Sequence, residues 1–317
     1  MRARLLPPRR LPPRLPVFGV GVPRAGTAAL PCARSVEVRA TAREFKQSRR
    51  AALGVLVAGT SMGGTASRGP GPRAMAAAAG GAEDAIAGIL DEPKFPESWP
   101  YGADAFARYD ETPDTGFYDE PRFVTHIDDK AIEALTEYYA ENFPPVDTKP
   151  ALLDLCSSWI SHYPPQYNAA EAGNVVGLGM NEAELARNSA LTSYVVKDLN
   201  ADPKLPFDDA SFDVITNTVS VDYLTKPLEV FQEMHRVLKP NGLAIMSFSN
   251  RCFPTKAIAL WTQTGDPDHV WIVGSYFHYA GGFEAPQARE ITKRAGGGVF
   301  GGGKGDPMYV VYARKAA

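Results

Sequence analysis

The sequence predicts one α/β domain built on a doubly wound, mostly parallel sheet with helices on both faces. Three observations predict it. Short apolar runs recur at 151–156, 174–178, 194–196, 212–216 and 242–248, and helical segments separate them. Strands that alternate with helices lie parallel and are covered on both faces. The best-defined helix, 227–238, starts on Pro227 and is stopped by Lys239-Pro240-Asn241-Gly242, which turns the chain into the next strand. Hydrophobic residues make up 44% of the chain, too many for a mainly disordered protein.

Taken in order, the elements begin after an unusual N-terminal segment. Residues 1–76 hold 14 Lys and Arg against two acids, Glu37 and Glu44, while the remaining 241 residues hold 19 basic and 34 acidic residues. The formal charge of −3 is therefore the sum of +12 and −15. Residues 1–50, rich in Arg, Pro, Ala and Ser, have the composition of an organelle transit peptide. Ser48-Arg49-Arg50, a mild apolar stretch from Ala51 to Met62 and Ala74-Met75-Ala76 then follow in the order of a twin-arginine export signal. Together they point to a chloroplast protein of the thylakoid lumen, with the stroma as the alternative. Removal after Ala76 leaves one domain with a substantial core. The acidic remainder argues against a general nucleic-acid partner. No uncharged apolar run reaches the roughly 18 residues of a membrane span. Three cysteines do not make a disulfide scaffold.

Residues 77–127 form an irregular arm in which prolines and aromatic residues alternate, among them Phe95, Trp99, Tyr101, Phe106, Phe117, Tyr118 and Phe123. Such an arm packs by its rings or lies over a pocket as a lid. The domain proper spans 128–317. Asp128-Asp129 caps a helix running to Asn142, with Ile132, Leu135 and Tyr139 as its apolar stripe, and Pro144-Pro145 ends it. The five strands follow. On helix 227–238, Leu228, Phe231, His235 and Leu238 are expected on the buried face. In a sheet of this kind the ligand lies at the carboxyl ends of the strands.

Two blocks identify the family. Leu205-Pro206-Phe207-Asp208-Asp209-Ala210-Ser211-Phe212-Asp213 leads into the fourth strand, and Arg236-Val237-Leu238-Lys239-Pro240-Asn241-Gly242 into the fifth. Over 128–315 the chain resembles the class I S-adenosylmethionine-dependent methyltransferases of the small, quinone-methyltransferase-like type. The resemblance implies a seven-stranded Rossmann-like sheet whose closing antiparallel pair falls at Ala280–Phe283 and 308–312. It also implies S-adenosylmethionine as cofactor and a small aromatic or lipophilic acceptor as partner, and leaves the oligomeric state open. Asp198 matches the acid that accepts from the adenine amino group, with Leu199 against the ring; the other reading of Asp198 is a helix or turn cap, and its position and neighbours favour the first. Asn217, after the fourth strand, is the candidate there.

The first motif departs from the family. Asp154 supplies its acid, but Cys156, Ser157 and Ser158 stand where glycines let backbone approach the cofactor, and Trp159 adds bulk. At the end of the second strand Met180 and Asn181 replace the acid that holds ribose hydroxyls. Asn181 either makes one such bond or caps the helix from Glu182. Three readings follow: a methyltransferase with a remodelled loop, a non-catalytic binding or assembly protein on the same fold, or a protein for another small ligand. A nicotinamide dehydrogenase is disfavoured, since no G-x-G-x-x-G follows the first strand.

Other residues have two readings each. Arg251 meets an anionic substrate group or pairs with a surface acid. His162 is a weak general base without a visible partner, His235 is structural, and the histidines show no metal-ligand spacing. Cys156 and Cys252, about 10 Å apart along such a sheet, are expected as free thiols. Trp261, Trp271, Tyr276, Phe277 and Tyr279 floor a pocket or pack a helix. The run 298–305 imitates a phosphate-binding loop but lacks the following Ser or Thr, and reads as a glycine-rich insert.

Overall fold

The computed structural model describes residues 82–168, 173–292 and 305–317. The targeting segment and nearly all of the glycine-rich run lie outside the described residues.

Every predicted parallel strand is present. They are β1 (Ala151–Leu155), β2 (Asn174–Gly179), β3 (Ser193–Val196), β4 (Phe212–Thr218) and β5 (Leu238–Phe248), followed by β6 (Gln287–Glu290) and β7 (Tyr309–Arg314). They form one seven-stranded sheet in the order β3-β2-β1-β4-β5-β7-β6. The first five are mutually parallel, and β7 runs antiparallel to both β5 and β6. This is the doubly wound, Rossmann-like methyltransferase fold. The chain winds outward in opposite directions from β1 and β4, which leaves a crevice at their carboxyl ends.

Alternation along the strands sends side chains into two cores. Leu152, Val175, Val214, Ile245 and Val310 face α3 (Asp129–Asn142) and bury Leu135 and Tyr139. Leu153, Leu155, Ile215, Met246 and Val311 face the other way, onto α5 (Pro227–Val237) and α7 (Asp266–Ala280). Asp128 caps α3 as expected, accepting from the Ala131 amide at 2.9 Å. The remaining helices are short: α1 (Ala82–Ala87), α2 (Asp114–Phe117), α4 (Glu182–Arg187) and α6 (Ala259–Thr262).

Two expectations are corrected. The sixth strand is at 287–290, not at Ala280–Phe283. Gly281 and Gly282 both have φ +75° and end α7, so the chain turns there, although Phe283 still makes a single bridge to Lys315. The buried face of α5 is Val230, Phe231, Met234 and Val237; Leu228 and His235 lie only half-buried beside it. His235 is structural, with its Nε2 3.1 Å from the Gly282 carbonyl.

The arm does both things its composition allows. Its first half packs, with Phe95, Trp99, Tyr101 and Phe106 against Trp271, Tyr276 and Tyr279 of α7. The aromatic cluster of α7 is therefore packing, not a pocket floor. The second half of the arm, from Asp114, crosses the carboxyl ends of the strands.

Candidate functional site

A cavity of about 790 Å³ lies over the carboxyl ends of β1 to β4, roofed by the arm. Eight of the nine residues picked from the sequence line it: Asp154, Cys156, Ser157, Ser158, Met180, Asn181, Asp198 and Leu199. Asn217 does not. It is fully buried in β4, where its Nδ2 donates to the Leu155 carbonyl at 3.2 Å and its Oδ1 has no partner among the described residues.

The loop after β1 keeps a glycine-like path without a glycine. Cys156 has φ +58°, a region that glycine enters without steric penalty and other residues rarely adopt. His126, His162 and Val219, at φ +64°, +56° and +47°, also line the cavity. Backbone strain of this kind, worth about 1–3 kcal/mol per residue, gathers at sites that bind or react. Next, Ser157 donates its amide to the Leu178 carbonyl at 2.8 Å, which seats the loop on the end of β2. The contact is close: a Cβ on Gly179 would lie 2.1 Å from the Ser157 carbonyl oxygen.

Asp154 sits beneath this loop, 2% exposed. It accepts from the hydroxyls of Ser157 and Ser161, both at 2.6 Å, and from Thr216 at 3.3 Å. Burial, partly offset by these hydroxyls, pushes its carboxyl up to about 6. The serines thus serve the acid that the glycines would have left open.

At the end of β2, Asn181 is a helix cap. Its Oδ1 accepts from the Glu184 amide, and its Nδ2 donates to the Tyr118 and Asp119 carbonyls of the arm at 2.9 and 3.0 Å. Glu184 accepts from the Arg122 amide and from the Ser158 hydroxyl, both at 2.6 Å. Trp159 donates its Nε1 to the Val124 carbonyl at 2.9 Å. Among the departures from the family pattern, Ser158, Trp159 and Asn181 therefore share one task, which is to latch the arm over the cavity.

Asp198 uses one oxygen as a turn cap, accepting from the amides of Asn200 and Ala201 at 2.8 and 3.2 Å. Its Oδ2 takes no hydrogen bond among the described residues. Arg251 is paired with Asp306 at 2.7 Å. Cys156 and Cys252 are free and line the cavity, and burial pushes the Cys156 thiol up to about 12. Burial pushes His162 down to about 4 and lowers His126, so both cavity imidazoles are neutral at pH 7. No group of His, Cys, Asp or Glu among the described residues is arranged to hold a metal ion.

Sequence reasoning missed Tyr118, Arg122, His126 and Glu184, which complete the wall. Three of them stand on the arm, and nothing in its local sequence says where it lands. Among the described residues, no helix is long and apolar enough to cross a membrane.

Comparison with known proteins follows the same outline. Residues 134–246, about a third of the chain, match the family described as a methyltransferase domain. A malonyl-acyl-carrier-protein O-methyltransferase of Marinomonas sp. is 28% identical over 79 residues, 25% of this chain and 28% of that protein. A ubiquinone/menaquinone biosynthesis C-methyltransferase of Ruegeria sp. is 38% identical over 72 residues, 22% of this chain and 28% of that protein. The matches thus span less than a third of either relative. A solved S-adenosylmethionine-dependent methyltransferase from Aquifex aeolicus aligns at 17% identity with a TM-score of 0.40, over 64% of this chain and 97% of that one. In sequence over residues 134–246, and in its sheet order, the chain is similar to the class I S-adenosylmethionine-dependent methyltransferases.

Proposed function

We propose that the protein transfers a methyl group from S-adenosylmethionine to a small aromatic or lipophilic acceptor. The observation that carries this reading is the convergence of the loops after β1, β2 and β3 on one cavity at the switch point of the sheet. Its volume lies within the range of about 300–1,000 Å³ usual for ligand sites.

The residues fit the cofactor unevenly. The Asp198 oxygen without a partner suits the adenine amino group, with the side chain of Leu199 beside it. The backbone of Cys156 and Ser157 follows the path that lets a cofactor approach. After β2, where the ribose would lie, the Asn181 amide and the Glu184 carboxylate are both engaged by the arm. When bound, S-adenosylmethionine supplies the electrophilic methyl group. The protein's contribution is then position and dryness: the arm excludes water, and the cavity holds the acceptor in line. The rings of Tyr118, Tyr223 and Phe253 line the cavity, which suits an aromatic acceptor. The imidazoles of His126 and His162 line the cavity, and burial leaves both weak bases.

One observation favours a second reading. The latch on the ribose side uses groups that a cofactor would need, as expected of a non-catalytic binding or assembly protein on this fold. Thermal stability separates the two. At a cofactor concentration near 100 times its dissociation constant, the enzyme gains about 2.7 kcal/mol. No shift at millimolar S-adenosylmethionine would sink the enzyme reading.

The address remains part of the proposal: a chloroplast protein of the thylakoid lumen, with the stroma as alternative. Sequencing the mature N-terminus tests it. A start near Ala77 fits the lumen, and a start near residue 40 the stroma.

A further inference from the structure

The cations in the cavity wall are nearly all matched. Arg108 pairs with Asp114 at 2.6 Å, Lys197 with Asp202 at 2.6 Å, and Arg251 with Asp306 at 2.7 Å. Lys256, 1% exposed, lies 3.1 Å from Asp110 and 3.3 Å from Asp114. Arg122 is the exception. Among the described residues no carboxylate pairs with its guanidinium. Its Nη2 donates to the Phe117 carbonyl at 2.9 Å, and its guanidinium carbon lies 4.4 Å from the centre of the Phe117 ring, 5.6 Å from Phe253 and 6.0 Å from Tyr118. A guanidinium held against ring faces keeps its charge and a defined orientation while its remaining N–H groups stay available.

We propose that Arg122 recognises the acceptor, and that the acceptor carries a carboxylate on an aromatic or conjugated frame. The inference rests on the reading of this cavity as the acceptor site. Two arguments support it. A guanidinium takes a carboxylate through two parallel N–H donors, and the surrounding rings suit a planar frame attached to it. The cofactor's own carboxylate is the competing source, but it comes with an adjacent ammonium that needs an acid of its own. The cavity acids nearest the arm are already engaged: Asp114 by Arg108 and Asn200, and Glu184 by Ser158 and the Arg122 amide. At the arm, an unmatched cation whose neighbouring acids are engaged complements an anion better than a zwitterion.

Arg251, for which the sequence left an anionic substrate group and a surface acid both open, takes the second: it pairs with Asp306.

The test titrates the full chain with benzoate, cinnamate and salicylate, each beside its carboxamide, and separately with S-adenosylmethionine. The unmodified protein, Arg122→Gln and Arg122→Lys are compared. At least one acid is expected to bind more tightly than its amide and to lose about tenfold or more in Arg122→Gln, the value of one charge-assisted hydrogen bond. Arg122→Lys keeps the charge without the fork and falls between. Amides and S-adenosylmethionine are expected to bind all three proteins alike. If no acid binds better than its amide while S-adenosylmethionine still binds, this proposal falls and the methyl-transfer reading stands. If acids bind through Arg122 and S-adenosylmethionine does not bind, the reverse holds. An equal loss for acids and amides assigns Arg122 to holding the arm, and a loss confined to S-adenosylmethionine assigns it to the cofactor. Either result overturns the proposal.

Discussion

Replacing Gly179 by Ala tests the joint that shapes the cavity. The new Cβ would meet the Ser157 carbonyl oxygen at 2.1 Å, the Ser157 carbonyl carbon at 3.1 Å and Leu185 Cδ2 at 3.2 Å. Ordinary contact begins near 3.4 Å, so the strand end and the loop must part by about 1.3 Å. The oxygen cannot swing aside. Ser157 is held by its amide bond to Leu178 at 2.8 Å and by its hydroxyl on Asp154 at 2.6 Å. Overpacking of this kind costs about 1–3 kcal/mol, and losing the Ser157–Leu178 bond adds about 1 kcal/mol. The stiffer unfolded chain returns about 0.4–1 kcal/mol. The expected net loss is about 2–3 kcal/mol, read from urea unfolding. Gly102→Ala, where no atom lies within 4 Å of the added carbon, serves as control and should change stability by less than about 1 kcal/mol. A Gly179→Ala protein within about 0.5 kcal/mol of the unmodified chain would refute the seating of this loop on β2.

Three further outcomes are expected. Cys156→Gly should unfold within about 1 kcal/mol of the unmodified protein, since relief of the left-handed backbone offsets lost side-chain contact; Cys156→Val, β-branched at φ +58°, should lose about 2 kcal/mol or more. Equal stabilities for the two would contradict the strained loop. Trp159→Phe removes the bond to Val124, worth about 1 kcal/mol, so limited proteolysis of the arm near residues 119–127 should quicken about fivefold, and an unchanged rate counts against the latch. Asp222 is 3% exposed, its Oδ2 has no partner among the described residues, and burial pushes its carboxyl up to about 8. Because the folded value lies above the unfolded one, ionising this group destabilises the fold as pH rises from about 4 to about 8. Relative to Asp222→Asn, the unmodified protein should lose on the order of several kcal/mol across that window, and a flat difference in urea unfolding would contradict it.

What the sequence made legible was the part set by local chemistry. Val175-Val176 and Val195-Val196 announce strands by β-branching and apolarity, and Lys239-Pro240-Asn241-Gly242 announces a turn. The sixth strand was misplaced because Gln287–Glu290 is a short edge strand with three of its four side chains polar, formed by pairing with β7, not by its own pattern. The candidate site was legible where it follows the strands, at Asp154, Cys156 and Asp198. It was illegible where it comes from the arm. Arg122 and His126 reach the cavity because Asn181, Glu184 and Trp159, dozens of residues away in sequence, hold the arm in place. The loss of glycines after β1 reads in the sequence as a weakened cofactor grip. In the structure it is also a gain, since Ser157, Ser158 and Trp159 each make a bond that glycine could not.

The central claim is that the cavity over β1 to β4 binds S-adenosylmethionine with its adenine at Asp198. Calorimetric titration with S-adenosylhomocysteine, which keeps the adenosine and amino acid parts of the cofactor, addresses it directly. Saturable binding at one site per chain is expected, with about tenfold or greater weakening in Asp198→Ala, against unchanged binding in Arg251→Ala, whose side chain is tied to Asp306. No heat of binding to the unmodified protein, or equal affinity in Asp198→Ala, would contradict it.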